Sequence, residues 1–185
     1  MTLTVDIPKV KSLIDLFKSN MTAQGLKAFF VGLLSLQGDE KQQSVDALLK
    51  YAVQIEQPKV ENDLGHLVLE MAKTYPGDIG LFAPFILNVL TLQPGQAMYL
   101  EARTPHAYLK GVALEVMANS DNVLRAGLTP KHIDVDELAK CTLFEEKPVD
   151  SLLCQPEING YHNHYPISVP DFNFDCFIKS DETVV

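Results

Sequence analysis

The spacing of hydrophobic residues changes once along the chain, near Gly80, and this change constrains the fold more than any other feature. Before it, apolar residues recur at three- and four-residue steps, as on one face of a helix. After it they gather in short runs and alternations punctuated by Pro, Gly, Asn and Asp, as strands and their turns do. Helices followed by strands, rather than the two alternating, make an α+β chain whose sheets are mostly antiparallel.

Four helical stripes fill the first part, residues 1–80. Val10, Leu13, Ile14 and Phe17 form the first, with Pro8 acceptable in its opening turn. Thr22 can cap a second helix that buries Leu26, Phe29, Phe30, Leu33 and Leu34. Gly38-Asp39 breaks it, and a third helix turns Val45, Leu48, Leu49, Ala52 and Val53 inward. After Pro58 a fourth stripe, Leu64, Leu67, Val68 and Met71, runs to a stop at Tyr75-Pro76-Gly77. His66 beside this stripe reads as a hydrogen-bonded structural histidine. Helices this short with short loops form a scaffold.

In residues 81–185, Ile86 to Leu92 and Gln96 to Ala102 read as two strands around a Pro94-Gly95 turn. Val112 to Ala118 puts Leu114, Val116 and Ala118 on one side and Glu115 and Met117 on the other. Asn122 to Ala126 is a further short strand, with Arg125 opposite Leu124. Asp134 to Lys140 is a helical turn with acids at its start, where the helix dipole favours them. Leu143-Phe144, Ser151 to Cys154 and Phe172 to Ile178 complete the strands. The last has no downstream partner, and an unpaired edge is an association hazard. The chain therefore reads as a piece of something longer.

Composition narrows the function classes. A chain of 185 residues that is 46% hydrophobic can build a core. A net charge of −9 excludes a general phosphate-backbone binder, and so nucleic acid as a partner. A local basic pocket for one small anion remains compatible with it. The longest apolar tract, Leu26 to Leu36, is broken by Lys27, Gly32 and Ser35, so no membrane partner is expected. The first residues lack the layout of a secretory leader. Cys141, Cys154 and Cys176 show no CxxC spacing and read as reduced thiols of a cytoplasmic protein.

Chemistry concentrates between Gln93 and Lys131. His106 follows Thr104-Pro105, a stiff platform that suits either a turn histidine or a ligand; a metal would need further donors. Glu115 and Arg125 fit a buried ion pair as well as a reactive site. A core does not call for an arginine between Leu124 and Ala126, and Leu124 and Leu128 are expected to shield that guanidinium from water. Asp121-Asn122 fits an ordinary turn. His162-Asn163-His164 would present two imidazoles on one face of a strand, but between Asn159-Gly160 and Pro166 it reads as a loop suited only to adventitious metal capture.

The same stretch resembles a known family. Pro105-His106-Ala107-Tyr108-Leu109, Gly111, Glu115 and the uninterrupted run from Met117 through Ala118-Asn119-Ser120-Asp121-Asn122-Val123-Leu124-Arg125-Ala126-Gly127-Leu128-Thr129-Pro130 to Lys131 are similar to the signature of type I phosphomannose isomerases, zinc-dependent enzymes of the cupin class. The resemblance implies that residues 1–80 are the helical domain and 81–185 part of a cupin-type β-barrel. It implies that His106 is a zinc ligand, that Arg125, Asp121 and Glu115 are catalytic, and that Tyr108 and Lys131 bind substrate. The implied reaction interconverts mannose 6-phosphate and fructose 6-phosphate through a cis-enediol, with zinc polarising a substrate oxygen.

The family also draws zinc ligands from a Gln-x-His motif and a glutamate in an N-terminal barrel segment, and no such motif precedes the helices here. The expectation is a fragment holding one of the four zinc ligands, inactive alone, with open barrel edges that favour self-association. The alternative is a stand-alone cupin-like module that binds a sugar phosphate or a partner without turnover.

Overall fold

The computed structural model describes residues 8–57, 60, 63–120 and 123–178. They form two compact units. The first takes the described residues of Met1–Leu90 together with Arg103–His106 and Leu124–Glu145. The second takes Thr91–Ala102 and the described residues of Ala107–Val123 and Glu146–Val185.

The first unit is built on α1 (Pro8–Ser19), α2 (Ala23–Leu34), α3 (Gly38–Ile55) and α4 (Leu64–Thr74), followed by a 3-10 helix, Ile79–Phe85. Local chemistry sets these boundaries. Pro8 occupies the first position of α1, where its missing N–H costs nothing. The Thr22 hydroxyl accepts the Gly25 N–H at 3.2 Å, and the Asp63 carboxylate accepts that of His66 at 2.7 Å. Gly77, at φ 73, ends the fourth helical segment as its Tyr-Pro-Gly setting anticipates.

The stripes meet in a core where Val10, Leu33, Val45, Leu48, Ala52, Val68, Leu81 and Phe82 are almost wholly buried. Burying each larger side chain contributes about 1.5–3 kcal/mol. Val53 departs from the expectation and is 63% exposed. Val45, Leu48 and Ala52 follow one another at three- and four-residue steps along one arc of α3, and Val53 lies one residue past that arc. His66 does make a hydrogen bond, its Nδ1 lying 3.0 Å from Glu56 Oε1. A short helix, α5 (Val135–Cys141), joins this unit with Leu138 buried. Asp134 caps it by accepting the Glu137 N–H at 2.9 Å. Just beyond it Phe144 packs edge-on against Phe30 at 5.6 Å.

The second unit holds two small antiparallel sheets. β1 (Ala97–Met98) pairs with β2 (Leu153–Cys154), and the single-turn helix α6 (Val149–Leu152) leads into the latter. β3 (Glu157–Asn159), β4 (His162–Tyr165) and β5 (Phe174–Phe177) form a three-stranded meander. Helices followed by small antiparallel sheets are the α+β order anticipated above.

Several strands differ from expectation. Pro94-Gly95 is a turn, with Gly95 at φ 86 and the Gln96 N–H bonded to Gln93 O at 2.9 Å. The residues before it do not return on the residues after it, however; Ala97 and Met98 pair instead with Cys154 and Leu153. Val112 to Ala118, the described part of Asn122 to Ala126, and Leu143-Phe144 carry no ladder. Alternation marks a face, but a strand exists only where another backbone takes its hydrogen bonds. No closed barrel forms among the described residues. β5, expected to be unpaired, lies against the preceding β4 from Phe174↔Tyr165 to Phe177↔His162. Among the described residues no helix is long and apolar enough to cross a membrane.

Candidate functional site

Three of the signature residues, His106, Arg125 and Lys131, lie in the helical unit. The segment carrying His106 is held there by Arg103, whose Nε donates to Cys141 O at 2.9 Å while its carbonyl accepts the Leu143 N–H at 3.0 Å. His106 is exposed, with Nδ1 2.9 Å from Thr104 O. A carbonyl can only accept, so Nδ1 donates in this bond, and Nε2 is the ring nitrogen of the type that binds a metal. That is how a backbone-oriented histidine presents itself to a metal. Beside it, Thr104 Oγ1 is buried without a hydrogen-bond partner.

Arg125 is exposed, and Leu124 and Leu128 are only half-buried. The apolar shield expected around the guanidinium is therefore not formed. Glu115 is exposed as well, so neither charge has the burial that an ion pair of a core would have. The segment after Arg125 is tightly placed. Gly127 sits at φ 147, and a Cβ there would lie 2.7 Å from Gly80 Cα, so two backbones meet where only glycines fit. Asp78 receives the Gly80 N–H on Oδ1 at 2.6 Å and the Thr129 N–H on Oδ2 at 3.4 Å. The Thr129 hydroxyl accepts the N–H of Lys131 at 3.2 Å. Asp78 was not among the residues expected to matter. Its signal was an Asp two places before a glycine at the point where the period changes, a setting for a side chain that turns its own backbone.

Tyr108 and Glu115 lie in the second unit, where the Tyr108 hydroxyl donates to Glu115 Oε1 at 2.8 Å. Partial desolvation, then the hydrogen bond and the charge of Glu115, push the phenol above its usual value. Asp121 lies outside the described residues.

The His-x-His segment proves to be a strand. Asn159 pairs with His162, so Gly160 at φ 61 and Tyr161 form a two-residue hairpin turn between β3 and β4. His162 Nε2 and His164 Nδ1 both bond to Asp175 Oδ1, at 2.6 and 2.9 Å, and the His162 ring stacks on Phe177 at 4.7 Å. The bonds from His162 and then His164 hold the Asp175 carboxyl below the usual carboxylate range. Among the described residues no group of three or more His, Cys, Asp or Glu side chains is arranged to hold a metal ion. His106 is thus a donor of suitable type, but the described residues alone do not complete a zinc site.

Comparison with known proteins bears on these residues. Residues 5–87 match the model of the helical insertion domain of type I phosphomannose isomerases. The chain is 48% identical over 166 residues to mannose-6-phosphate isomerase of Escherichia coli K12, an alignment covering 90% of this chain and 41% of that protein. It is 42% identical over 164 residues to the human mannose-6-phosphate isomerase, covering 83% and 38%. It superimposes with a TM-score of 0.81 and 44% identity on the Salmonella typhimurium enzyme crystallised with fructose 6-phosphate and zinc, covering 91% of this chain and 43% of that one. In two further Salmonella structures, a glutamate and an arginine ten positions apart have each been replaced by alanine. The chain thus spans about two fifths of the length of the proteins it matches.

Proposed function

We propose that the chain, which matches type I phosphomannose isomerases over nine tenths of its own length, belongs with them and supplies part of the active site of a mannose-6-phosphate isomerase. The observation that carries this reading is the 48% identity with the Escherichia coli enzyme, sustained over 90% of this chain. The spacing of Glu115 and Arg125 supports it, because it equals that of the glutamate and arginine substituted in the Salmonella protein.

In this reading a carboxylate, Glu115 or Asp121, removes the C2 proton of open-chain mannose 6-phosphate. The electron pair forms a C1–C2 double bond, giving a cis-enediolate. The proton returns to C1 as the C2 oxygen becomes the ketone and the C1 oxygen an alcohol, so fructose 6-phosphate forms with no net gain or loss. Arg125 faces the developing negative charge, and Lys131 and Tyr108 hold the sugar phosphate. His106 offers Nε2 as one zinc ligand, the remaining donors coming from polypeptide outside this chain; zinc bound there supplies Lewis acidity. The helical domain is built on residues 1–80, the second unit, drawn from within 81–185, contributes to a cupin-type barrel, and the protein works in the cytoplasm.

The isomerisation assay tests this reading. Arg125→Lys in the complete enzyme is expected to lower turnover by about 10²–10³-fold at unchanged thermal stability, the usual scale for one preorganised charge contact. Normal turnover in that variant overturns the assignment of Arg125. A second reading, a module that binds a sugar phosphate without turnover, is favoured by the lack of a three-donor metal group among the described residues. Binding of mannose 6-phosphate without isomerisation by the complete native protein would select it.

A further inference from the structure

We propose that Asp78 is a positioning residue that fixes the Gly127–Lys131 segment, and with it the flanking Arg125 and Lys131, against the helical unit; the functional weight of this inference rests on the isomerase reading of those two cations. The segment is gripped at three adjacent points. Gly80 and Gly127 meet backbone to backbone, and a Cβ on Gly80 would come within 2.7 Å of Leu128 N. Leu128 packs against the buried core while holding a left-handed φ of 52, a conformation a leucine keeps only when its surroundings impose it. Thr129, 51 residues from Asp78 in sequence, gives its N–H to Asp78 Oδ2, and its hydroxyl accepts the Lys131 N–H.

The carboxylate divides its work. Oδ1 takes the Gly80 N–H and so caps the 3-10 helix, while Oδ2 reaches across to Thr129. Two donors approach two acceptors, which is why an aspartate suits this place better than an asparagine. An amide oxygen can replace Oδ1 in the cap, but the amide NH2 would face the Thr129 N–H donor to donor. Asp78→Asn therefore separates capping from positioning, and Asp78→Ala removes both.

The test uses the complete native protein and two readouts, hydrogen exchange at the Thr129 amide and isomerisation of mannose 6-phosphate. Asp78→Asn is expected to keep the thermal midpoint, to speed Thr129 exchange by about tenfold or more, and to raise KM several-fold while kcat falls less. Asp78→Ala should add a lower midpoint. Unchanged Thr129 exchange in Asp78→Asn overturns the proposal. So does a loss of activity that only tracks a loss of stability, since that is the signature of a cap alone. If the unsubstituted protein does not isomerise mannose 6-phosphate, the isomerase reading fails by itself, and the exchange result still decides whether Asp78 anchors Thr129.

Discussion

Tyr108 donates its hydroxyl to Glu115, 2.8 Å away and seven residues along the chain, so two residues of the signature are already joined in the second unit. Partial desolvation first, then the bond and the carboxylate charge, favour the neutral phenol. Because the phenol's folded value is raised above 10.0, its stabilising effect is complete below that pH and is lost as pH rises through the folded value. Ultraviolet titration, with Tyr108→Phe as the blank, should show the Tyr108 phenol ionising above its ordinary value. Glu115→Gln should bring it back toward 10.0. An unchanged curve would mean that the pair is not formed in solution.

Zinc should be held weakly by this chain alone. One imidazole supplies one bond, whereas stable zinc sites take at least three protein ligands, and no such group exists among the described residues. Metal analysis after dialysis is expected to find well under one zinc per chain. One equivalent retained, and lost in His106→Ala, would contradict this.

The β4–β5 pairing should weaken in acid. Asp175 accepts from both His162 and His164, which lowers its folded value below 3.8. Its contribution is therefore present in full above pH 3.8 and disappears as pH falls through the lowered value. An Asp175→Asn variant should lose this acid-dependent step while keeping the rest of the melting profile. Amide exchange in β5 measured between neutral pH and about pH 3 reads the difference; identical profiles for the two proteins would refute it.

Self-association is expected through the segment without a ladder. Val112 is 104% exposed and Leu114 84%, and Val116, Met117 and Leu109 are exposed nearby. Covering each such side chain contributes up to about 1.5–3 kcal/mol, enough for a few of them to drive association. Light scattering should give a mass that grows with concentration, and Val112→Lys with Leu114→Lys should restore the monomer. A monomer at high concentration without those substitutions would count against the idea.

The helical unit was legible because its signals are local. Thr22, Pro8 and the Tyr75-Pro76-Gly77 stop act within a few residues, and the buried stripe follows from a fixed period. Sheet pairing was harder to read, since Ala97 finds its partner at Cys154, far along the chain. The His-x-His strand was misread for a different reason. Asn159-Gly160 is a strong hairpin signal between strands, and reading it as general loop punctuation hid β4. In the candidate site, residue types were recognisable from the signature. The grip on Thr129 was not, because it joins Asp78 to a residue in a separate stretch of sequence.

The helical unit is discontinuous in sequence, since it reclaims Arg103–His106 and Leu124–Glu145 after the chain has left it. A protein ended at residue 90 would lose Phe144 from Phe30, Leu128 from the core and the Thr129 bond to Asp78. It would expose the apolar surface those residues cover. The compact helical unit thus extends beyond residues 5–87, the stretch that matches the helical insertion domain. Anyone transplanting that domain into another scaffold would need to graft the returning segments with it.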